Sequence, residues 1–442
     1  MLIILTEHIT ARIEYTCLIL FGTILQTDFK VVQYSGSSFP EELNADNAFI
    51  VYNEDRLSAG GINIPPSGLL IETGAKPQNI EFNAGLTKLY FNNRQYEGFD
   101  FDFDVFSAAF YLITSYELYA NPVFDEHGRY DEKQFLTFKN HAHRLPLLHI
   151  WAEELWIKIE GKYPSQVRKK REFTYKISFD IDSPYLFRGK GIALQTAGVL
   201  KNALLMHWKQ VVLYLKIAIG KKDPYDVYDY ILSLCSKEEL LFFFLLDRHT
   251  PNDTRYKYNN KQYRRLIAKI AGMDIKTGIH PSYNSFLNEK MIGFEKGKLD
   301  EITEAKTDMA RMHFLKYRLP ETYVYLEENG ILHDYTACPV QRPGFKNFIA
   351  RPFLWFNLAE NKITDLIIHP TMVMDRTLEA YMEINAEKAF DIIKEYIDIT
   401  VRYGGEFIPL FHNSTLSESE EWKGWRRVFE KTVRYLRNKT NE

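Results

Sequence analysis

From residue 172 to its end, the chain alternates short apolar runs with amphipathic stretches of helical length, and this alternation restricts the fold more than any other feature. The predicted strands are Lys176–Asp182, Leu241–Asp247, Gly278–His280, Met309–Leu315, Ile331–Tyr335, Asp365–Pro370 and Glu406–His412. The predicted helices cover about 195–218, 225–236, 260–272, 285–304, 320–329, 384–402 and 418–438. About seven βα units in succession favour an α/β fold, a distorted parallel (β/α)7-type barrel.

The residues before this region have a different pattern, in which short apolar runs such as Phe49–Tyr52 are broken by turns and one helical stretch, Phe106–Glu117, stands out. We therefore predict a smaller mixed α/β domain over residues 1–165, followed by the barrel domain over residues 172–442. The segment Tyr163–Glu172 between them contains a proline and a four-residue basic run. This composition predicts a linker or a surface turn.

Composition excludes several classes of protein. Hydrophobic residues make up 45% of the 442 residues and charged residues 26%, which is the balance of a globular protein. The net charge of −3 provides no positive field for nucleic acid, so no nucleic-acid partner is expected. Three cysteines far apart in the sequence form neither a disulfide framework nor a metal spacing, which indicates a reducing compartment.

The apolar N-terminus does not have the pattern of a signal peptide or a membrane span. Glu7, His8, Arg12 and Glu14 interrupt it, and no window reaches the roughly 18 apolar residues that a span needs. We therefore expect a cytoplasmic protein without membrane insertion. The sequence gives no indication of the oligomeric state.

Ionisable residues stand at the ends of nearly all the predicted strands. They are Asp180 and Asp182, Asp247, His280, Arg311 and His313, Asp334, His369, and His412. In parallel barrels the chemistry lies at the carboxyl ends of the strands, and the i, i+2 spacing of Asp180 and Asp182 places both on one side of their strand. Two carboxylates together with histidines suit a divalent metal beside an acid/base pair. Such an arrangement hydrolyses an amide or an ester.

Three motifs resemble those of a known family. Ser178–Asp182 resembles the first motif of NodB-homology polysaccharide deacetylases, and His280-Pro281 and Leu410–His412 resemble their second and last motifs, in the same order along the chain. The chain is similar to a bacterial subgroup that carries an additional N-terminal domain of uncharacterised role. The segments that align with this subgroup are Asp100–Tyr119, Gly278–Tyr283, His313–Leu315, Pro320–Tyr323 and Met374–Leu378.

The resemblance implies a metal-dependent hydrolase that removes an acyl group from an amide or ester of a carbohydrate, with an acylated sugar or glycan precursor as substrate. The implied catalytic residues are Asp180 as base, His412 as acid and Arg311, which orients the base or the substrate. The implied metal ligands are Asp182, His280 and His313, and the candidate substrate-binding residues are Tyr283, Asp334 and Asn347. The expected cofactor is zinc, with cobalt, nickel or manganese as alternatives.

The sequence departs from the family pattern in two places, and the departures keep alternatives open. The first metal histidine of the second motif would fall at Lys276, and Lys346 and Asn347 replace family residues in a loop near Asp334. A lysine at a ligand position favours a catalytically inactive glycan-binding or scaffold protein without a metal, in which the ammonium holds Asp182. Hydrolysis of a non-sugar amide is a third possibility. Asp375 opens a predicted helix, where N-capping competes with a catalytic role.

Overall fold

The computed structural model describes residues 1–34, 47–56, 60–189 and 192–441, which form two compact units. The strands are β1 (Leu2–Thr6), β2 (Phe29–Gln33), β3 (Ala48–Tyr52), β4 (Ile62–Ile64), β5 (Ile80–Phe82), β6 (Leu89–Phe91), β7 (Phe173–Tyr175), β8 (Ile177–Ile181), β9 (Leu240–Phe244), β10 (Lys276–Ile279), β11 (Met309–Ala310), β12 (His333–Asp334), β13 (Phe353–Asn357), β14 (Lys362–Ile368), β15 (Val373–Met374), β16 (Gly405–Phe407) and β17 (Pro409–His412). The helices are α1 (Ala11–Cys17), α2 (Val105–Ile113), α3 (Tyr116–Ala120), α4 (Leu136–Lys139), α5 (Leu147–Lys162), α6 (Ile192–Leu204), α7 (Trp208–Ala218), α8 (Tyr228–Leu234), α9 (Lys261–Ala271), α10 (Glu289–Thr303), α11 (Glu321–Glu328), α12 (Ala386–Tyr403) and α13 (Trp425–Asn441). Within the described ranges, none of these helices is long and apolar enough to cross a membrane.

The first unit is built on a parallel sheet. It consists of Met1–Phe173, Gly344–Pro370 and Ile399–Glu406. Its strands run in the order β2-β1-β3-β4, and β5 and β6 form a separate antiparallel pair. The apolar residues of β1 are fully buried between the neighbouring strands, so the N-terminal apolar stretch that begins the sequence is core.

The strand predicted at Asp365–Pro370 lies in β14, which pairs antiparallel with β13 in the first unit. Asn357 ends β13, and its Oδ1 accepts hydrogen bonds from the backbone N of Ala359 (3.0 Å) and Glu360 (3.3 Å), which closes a tight hairpin. His369 follows this strand in the first unit. The sequence analysis predicted two continuous domains. In the structure, residues 344–370 and 399–406 group with the N-terminal segment in the first unit.

The second unit contains seven parallel strands in the order β12-β11-β10-β9-β8-β17-β15. β17 is in register with β8, so that His412 pairs with Asp180, and Ile181 pairs with Phe244 of β9. The ladder continues beyond the strands, because His280 N donates to the Phe244 carbonyl (3.0 Å). The carboxyl ends of β8, β9, β10 and β17 therefore lie along one edge of the sheet.

Side-chain alternation sorts polar and apolar groups between the two faces of this sheet. The ring of Phe179 on β8 lies 5.4 Å from Phe242 and 5.6 Å from Phe429 of α13, which covers that face. Asp180, the next residue of β8, points to the opposite face. On that face Gly278 permits close approach, since a Cβ there would lie 2.7 Å from the ring of Phe243.

The ends of the sheet come together through their flanking segments. Thr371 N, before β15, donates to the carbonyl of Ala337, which follows β12 (2.9 Å). The sheet confirms the mixed α/β class, and closure into a barrel stays a prediction. The single helix predicted at 195–218 is two helices, because Met206 adopts a positive φ of 58° and ends the first of them.

Candidate active site

Three residues from neighbouring strand ends form a cluster with the geometry of metal ligands. Asp182 follows β8, His280 follows β10, and His313 begins the turn after β11. Oδ1 of Asp182 lies 3.4 Å from Nε2 of His280 and 3.8 Å from Nε2 of His313. One ligand atom of each residue lies within 4.8 Å of the other two. We call this group the Asp182 cluster.

The orientation of the two imidazoles is fixed by the contacts of their Nδ1 atoms. His280 Nδ1 is 2.5 Å from the carbonyl of Arg311, which can only accept, so Nδ1 donates and Nε2 faces Asp182. His313 Nδ1 faces Asp253 Oδ1 at 3.4 Å, so its Nε2 also faces Asp182. Imidazoles that donate from the far nitrogen are typical of metal sites.

One oxygen of the Asp182 carboxylate has no hydrogen-bond partner among the described residues, and a bound cation would provide a partner for it. The side chain is 40% exposed, yet its Oδ1 is buried without a hydrogen-bond partner among the described residues. Burial acts to raise the pKa of Asp182, but His280, His313 and His412 outweigh it and hold the pKa well below its usual value. An ionised, unpaired carboxylate oxygen beside two Nε2 atoms fits a divalent cation.

Asp253, which the sequence analysis did not single out, orients His313. It lies in the irregular loop after β9, and its Oδ1 also accepts a hydrogen bond from Tyr283 N (2.7 Å). Its Oδ2 accepts hydrogen bonds from Thr250 N (2.7 Å) and Oγ1 (2.9 Å). Burial acts to raise the pKa of Asp253, but these donors and His313 hold it well below its usual value. No spacing or strand end marks this residue in the sequence.

Asp180 lies beside the cluster and is fixed by Arg311. Arg311 Nη1 donates to Asp180 Oδ1 (2.8 Å), and the other oxygen lies 3.6 Å from His280 Nε2. Arg311 is fully buried, and its Nη2 donates to Ser178 Oγ (3.0 Å) and Thr371 Oγ1 (3.2 Å). Of its two predicted roles, this burial favours orientation of Asp180 over contact with substrate.

His412 also lies beside the cluster and is fixed by Asp375. Its Nε2 lies 3.7 Å from Asp182 Oδ2, and its Nδ1 lies 2.8 Å from Asp375 Oδ1. Asp375 Oδ2 accepts hydrogen bonds from His412 N (2.7 Å) and from Thr415 Oγ1. Burial acts to lower the pKa of His412, but Asp375, Asp182 and Asp180 outweigh it and raise the pKa to about 9. Asp375 also accepts a hydrogen bond from N of the adjacent Arg376 (2.6 Å), but the helical turn Thr377–Tyr381 has no side-chain cap, so the N-capping considered for Asp375 is not found.

Two of the predicted substrate-binding residues are engaged elsewhere. Asp334 is fully buried, with Thr336 Oγ1 donating to it at 2.5 Å, and burial raises its pKa to about 6. Asn347 lies in the first unit, where its Nδ2 donates to the Ile113 carbonyl and to Ser115 Oγ, both at 3.0 Å. Both side chains are thus hydrogen-bonded within the protein, and substrate contact by either stays a prediction.

Tyr283 lies beside the cluster. Its half-buried ring is edge-on to Phe314, with ring centroids 5.0 Å apart, and Phe314 in turn contacts the His313 ring. The Lys316 Nζ lies 3.9 Å from the Tyr283 ring centroid. Tyr283 stays a candidate for substrate contact.

Lys276 does not occupy a ligand position. It is the first residue of β10 and is exposed, whereas His280 follows the last residue of the same strand. At about 3.3 Å per residue, the two Cα atoms are roughly 13 Å apart, so the Lys276 ammonium cannot hold Asp182. The second imidazole of the Asp182 cluster, His313, instead comes from the end of the next strand, β11.

Residues 2–164 match a family of unknown function (DUF7033). No curated protein matches the chain. Among solved structures, a probable polysaccharide deacetylase from Pseudomonas aeruginosa PAO1 is 12% identical, with 60% of this chain and 85% of that chain covered and a TM-score of 0.37. Puue Allantoinase is 12% identical, with 61% and 85% covered and a TM-score of 0.37. Agd3, a novel carbohydrate deacetylase, is 8% identical, with 99% and 84% covered and a TM-score of 0.33.

Proposed function

We propose that the chain is a metal-dependent hydrolase that removes an acyl group from an amide or ester of a carbohydrate. The observation that carries this proposal is that a fixed carboxylate and a fixed imidazole both adjoin the Asp182 cluster. Asp180, held by Arg311, lies 3.6 Å from His280 Nε2, and His412, held by Asp375, lies 3.7 Å from Asp182 Oδ2. A base and an acid beside a Lewis-acid site are what hydrolysis of an acyl bond requires.

Asp182, His280 and His313 would hold the cation. One carboxylate and two imidazoles, with further positions open to water and substrate, suit zinc best, and cobalt, nickel or manganese are alternatives. When bound, such an ion polarises a substrate carbonyl and lowers the pKa of water in the site.

Asp180 acts as general base in this proposal. Its Oδ2 faces the cluster and takes a proton from the attacking water, whose oxygen forms a bond to the acyl carbon. Arg311 keeps Oδ1 occupied at 2.8 Å, so the carboxylate cannot rotate away. The imidazolium of His412 donates its Nε2 proton to the leaving nitrogen or oxygen as the acyl bond breaks. The products are a carboxylate and a free amine or alcohol.

The carbohydrate substrate rests on the similarity of the sequence motifs to polysaccharide deacetylases. The ring of Tyr283 beside His313 provides an aromatic surface of the kind on which a sugar stacks. Hydrolysis of a non-sugar amide needs the same acid, base and cation, because the site and not the fold determines the substrate.

Metal content and deacetylation measured on the same preparations test the proposal. We expect about one divalent ion per chain in the wild type, and its loss in Asp182→Ala, His280→Ala and His313→Ala. His207→Ala removes an exposed imidazole outside the cluster and serves as the matched control. Released acetate from N-acetylated chito-oligosaccharides and from a chromogenic acetate ester would report activity, which we expect to fall at least about 100-fold in Asp180→Asn and His412→Ala.

Two results would overturn parts of the proposal. Absence of metal after incubation with zinc, cobalt, nickel and manganese would exclude the hydrolase and favour a binding protein. Bound metal with turnover of non-sugar amides alone would retain the mechanism and exclude the carbohydrate.

A further inference from the structure

The helical hairpin of α6 and α7 exposes an unusual amount of apolar side chain. Leu204 is 84% exposed, Trp208 is 61% exposed, and Ile219, directly after α7, is 81% exposed. Exposed apolar residues of this size are normally scattered singly over a protein surface. Here they are concentrated, and the remaining ones are Leu200, Leu205, Met206, Val212 and Leu215.

The apolar residues of α7 form a continuous stripe. Trp208, Val212, Leu215 and Ile219 recur at i, i+4, i+7 and i+11, so they lie within about 60° of one another around the helix axis. Ile217 is buried about 170° from the centre of the stripe, on the opposite face, and Val211 is buried at about 70°, on one flank of the stripe. The exposed stripe is therefore an additional apolar face.

The hairpin is attached to the second unit through its packed face. Tyr214 stacks on Phe187 with ring centroids 4.4 Å apart. Phe187 belongs to the loop that follows Asp182, and three backbone N–H groups of this loop donate to the buried carboxylate of Asp223. The exposed stripe is thus carried on a fixed segment of the unit.

The charged residues of the hairpin are all positive. Residues 192–222 contain Lys201, Lys209, Lys216, Lys221 and Lys222 and no aspartate or glutamate. All five lysines are exposed. On α7, Lys209 and Lys216 lie about 70–90° from the centre of the apolar stripe, where their ammonium groups flank it.

We propose that the α6–α7 hairpin is a peripheral docking surface for an anionic lipid bilayer. The apolar stripe with Trp208 enters the headgroup and acyl boundary, and the lysines beside it contact lipid phosphates. A second copy of this hairpin fits poorly, because two such faces in contact would bring ten ammonium groups together. The binding is interfacial, since neither helix is long enough to span a membrane. It is independent of the chemistry proposed for the Asp182 cluster.

Flotation of the full chain with vesicles tests the proposal. We expect binding to vesicles of 70% phosphatidylcholine and 30% phosphatidylglycerol, and at least about tenfold weaker binding to pure phosphatidylcholine. The variant Lys201→Gln/Lys209→Gln/Lys216→Gln should bind the anionic vesicles about 100-fold more weakly. Its matched control, Lys290→Gln/Lys388→Gln/Lys423→Gln, removes the same charge from exposed residues outside the hairpin and should bind like the wild type.

The apolar stripe has its own variants. Leu204→Glu/Ile219→Glu should abolish binding, and Ile157→Glu/Val167→Glu, at residues 58% and 86% exposed in the first unit, should leave it intact. Trp208 is a built-in probe, because the other five tryptophans are buried. Its emission should shift to shorter wavelength with anionic vesicles and be quenched by brominated lipid, and Trp208→Phe should remove both signals.

Three results would overturn the proposal. They are no flotation of the wild type with anionic vesicles, equal flotation of Leu204→Glu/Ile219→Glu, and a wild-type dimer that this variant converts to a monomer. The last result would assign the surface to a second copy of the chain.

Discussion

Four side chains at the candidate centre, Asp180, His280, His313 and His412, are each held by a second polar group. Arg311 holds Asp180 through its guanidinium and His280 through its carbonyl, Asp253 faces His313, and Asp375 holds His412. These partners keep the reacting atoms in place without contacting a substrate, so their replacement should change particular measurable properties of the site.

Asp253→Asn tests the support of His313. An amide has one oxygen where the carboxylate has two, so His313 Nδ1 or the Thr250 donors lose their acceptor. We expect cation affinity to fall about 10–100-fold, measured by competition with a chromogenic chelator. Asp229→Asn, on an exposed ion pair with Lys269, is the control and should bind like the wild type. Unchanged affinity in Asp253→Asn would mean that Asp253 serves the loop and not the metal.

Asp375→Asn tests the role of His412 through the pH dependence of kcat/KM. His412 must be protonated to donate, so activity falls as the pH rises through its pKa. Burial lowers that pKa and Asp375 is the largest opposing influence, so removing the charge should move the alkaline limb to lower pH by about 1–3 units. A rate loss with the limb unmoved would show that another group is the acid.

The sequence allowed the strand-end residues to be predicted but not their supporting partners. Asp180, Asp182, His280, Arg311, His313 and His412 all adjoin apolar runs, and register brings such ends together. Asp253 adjoins no run, so local pattern does not distinguish it from a solvated loop residue. Asp334 is at a strand end too, yet it is buried against Thr336, because periodicity does not tell which strand ends reach the surface.

At the scale of elements, residues 183–189 after β8 are held by the carboxylate of Asp223 and by the hydroxyl of Tyr256. Asp223 accepts hydrogen bonds from the backbone N of Leu186 (2.8 Å), Phe187 (2.8 Å) and Arg188 (3.0 Å). Tyr256 OH donates to the carbonyls of Tyr185 (3.0 Å) and Arg188 (2.6 Å) of the same loop. The loop directly follows Asp182, so its order bears on the cluster.

Asp223→Ala should therefore loosen this loop. Three backbone N–H groups, of which that of Phe187 is buried, lose their acceptor, which we expect to lower the free energy of unfolding by about 2–4 kcal/mol. Hydrogen exchange of residues 183–189 should accelerate more than the exchange of β9. Asp226→Ala removes a longer, 3.5 Å contact with Arg188 and should change stability by less than about 1 kcal/mol. Equal effects of the two variants would contradict this assignment.

Helices were predicted more closely than strands. Asn260 caps α9 by accepting from Gln262 N and Tyr263 N (both 3.1 Å), and amphipathic spacing marks the rest of that helix. β15 has only two residues, too few for any period, and β14 has the composition of a parallel strand but folds back on β13. The antiparallel pairing of β13 and β14 depends on the turn at Asn357, and the apolar pattern of a strand does not show in which direction it pairs.

At the scale of the whole molecule, neither unit is a continuous piece of sequence. In the first unit, Tyr15 OH donates to the Leu354 carbonyl (2.7 Å) and Arg12 Nε to Asn361 Oδ1 (2.9 Å). The Phe356 ring lies 5.0 Å from the Tyr15 ring. The β13–β14 hairpin thus completes a core that begins at the N-terminus.

A fragment of residues 1–173 should consequently lack a cooperative thermal transition in circular dichroism. Its Arg12 and Tyr15 would be left with unpaired polar groups and an open apolar face. The matched control joins residues 344–370 to the fragment through a flexible linker, and we expect it to recover the transition. A cooperative transition in the shorter fragment would show that the hairpin is dispensable.

The interrupted order of the first unit also has a consequence during synthesis. Roughly 230 residues separate Phe173 from Glu406, where its last segment ends, and at about 5–20 residues per second the ribosome needs on the order of 10–50 s to add them. Until β14 is complete at Ile368, the nascent N-terminal segment lacks the strands that cover Tyr15 and Arg12, while most of the second unit is being synthesised. Chaperone dependence should therefore be greatest for partly translated chains, and it should ease once residue 406 has left the exit tunnel.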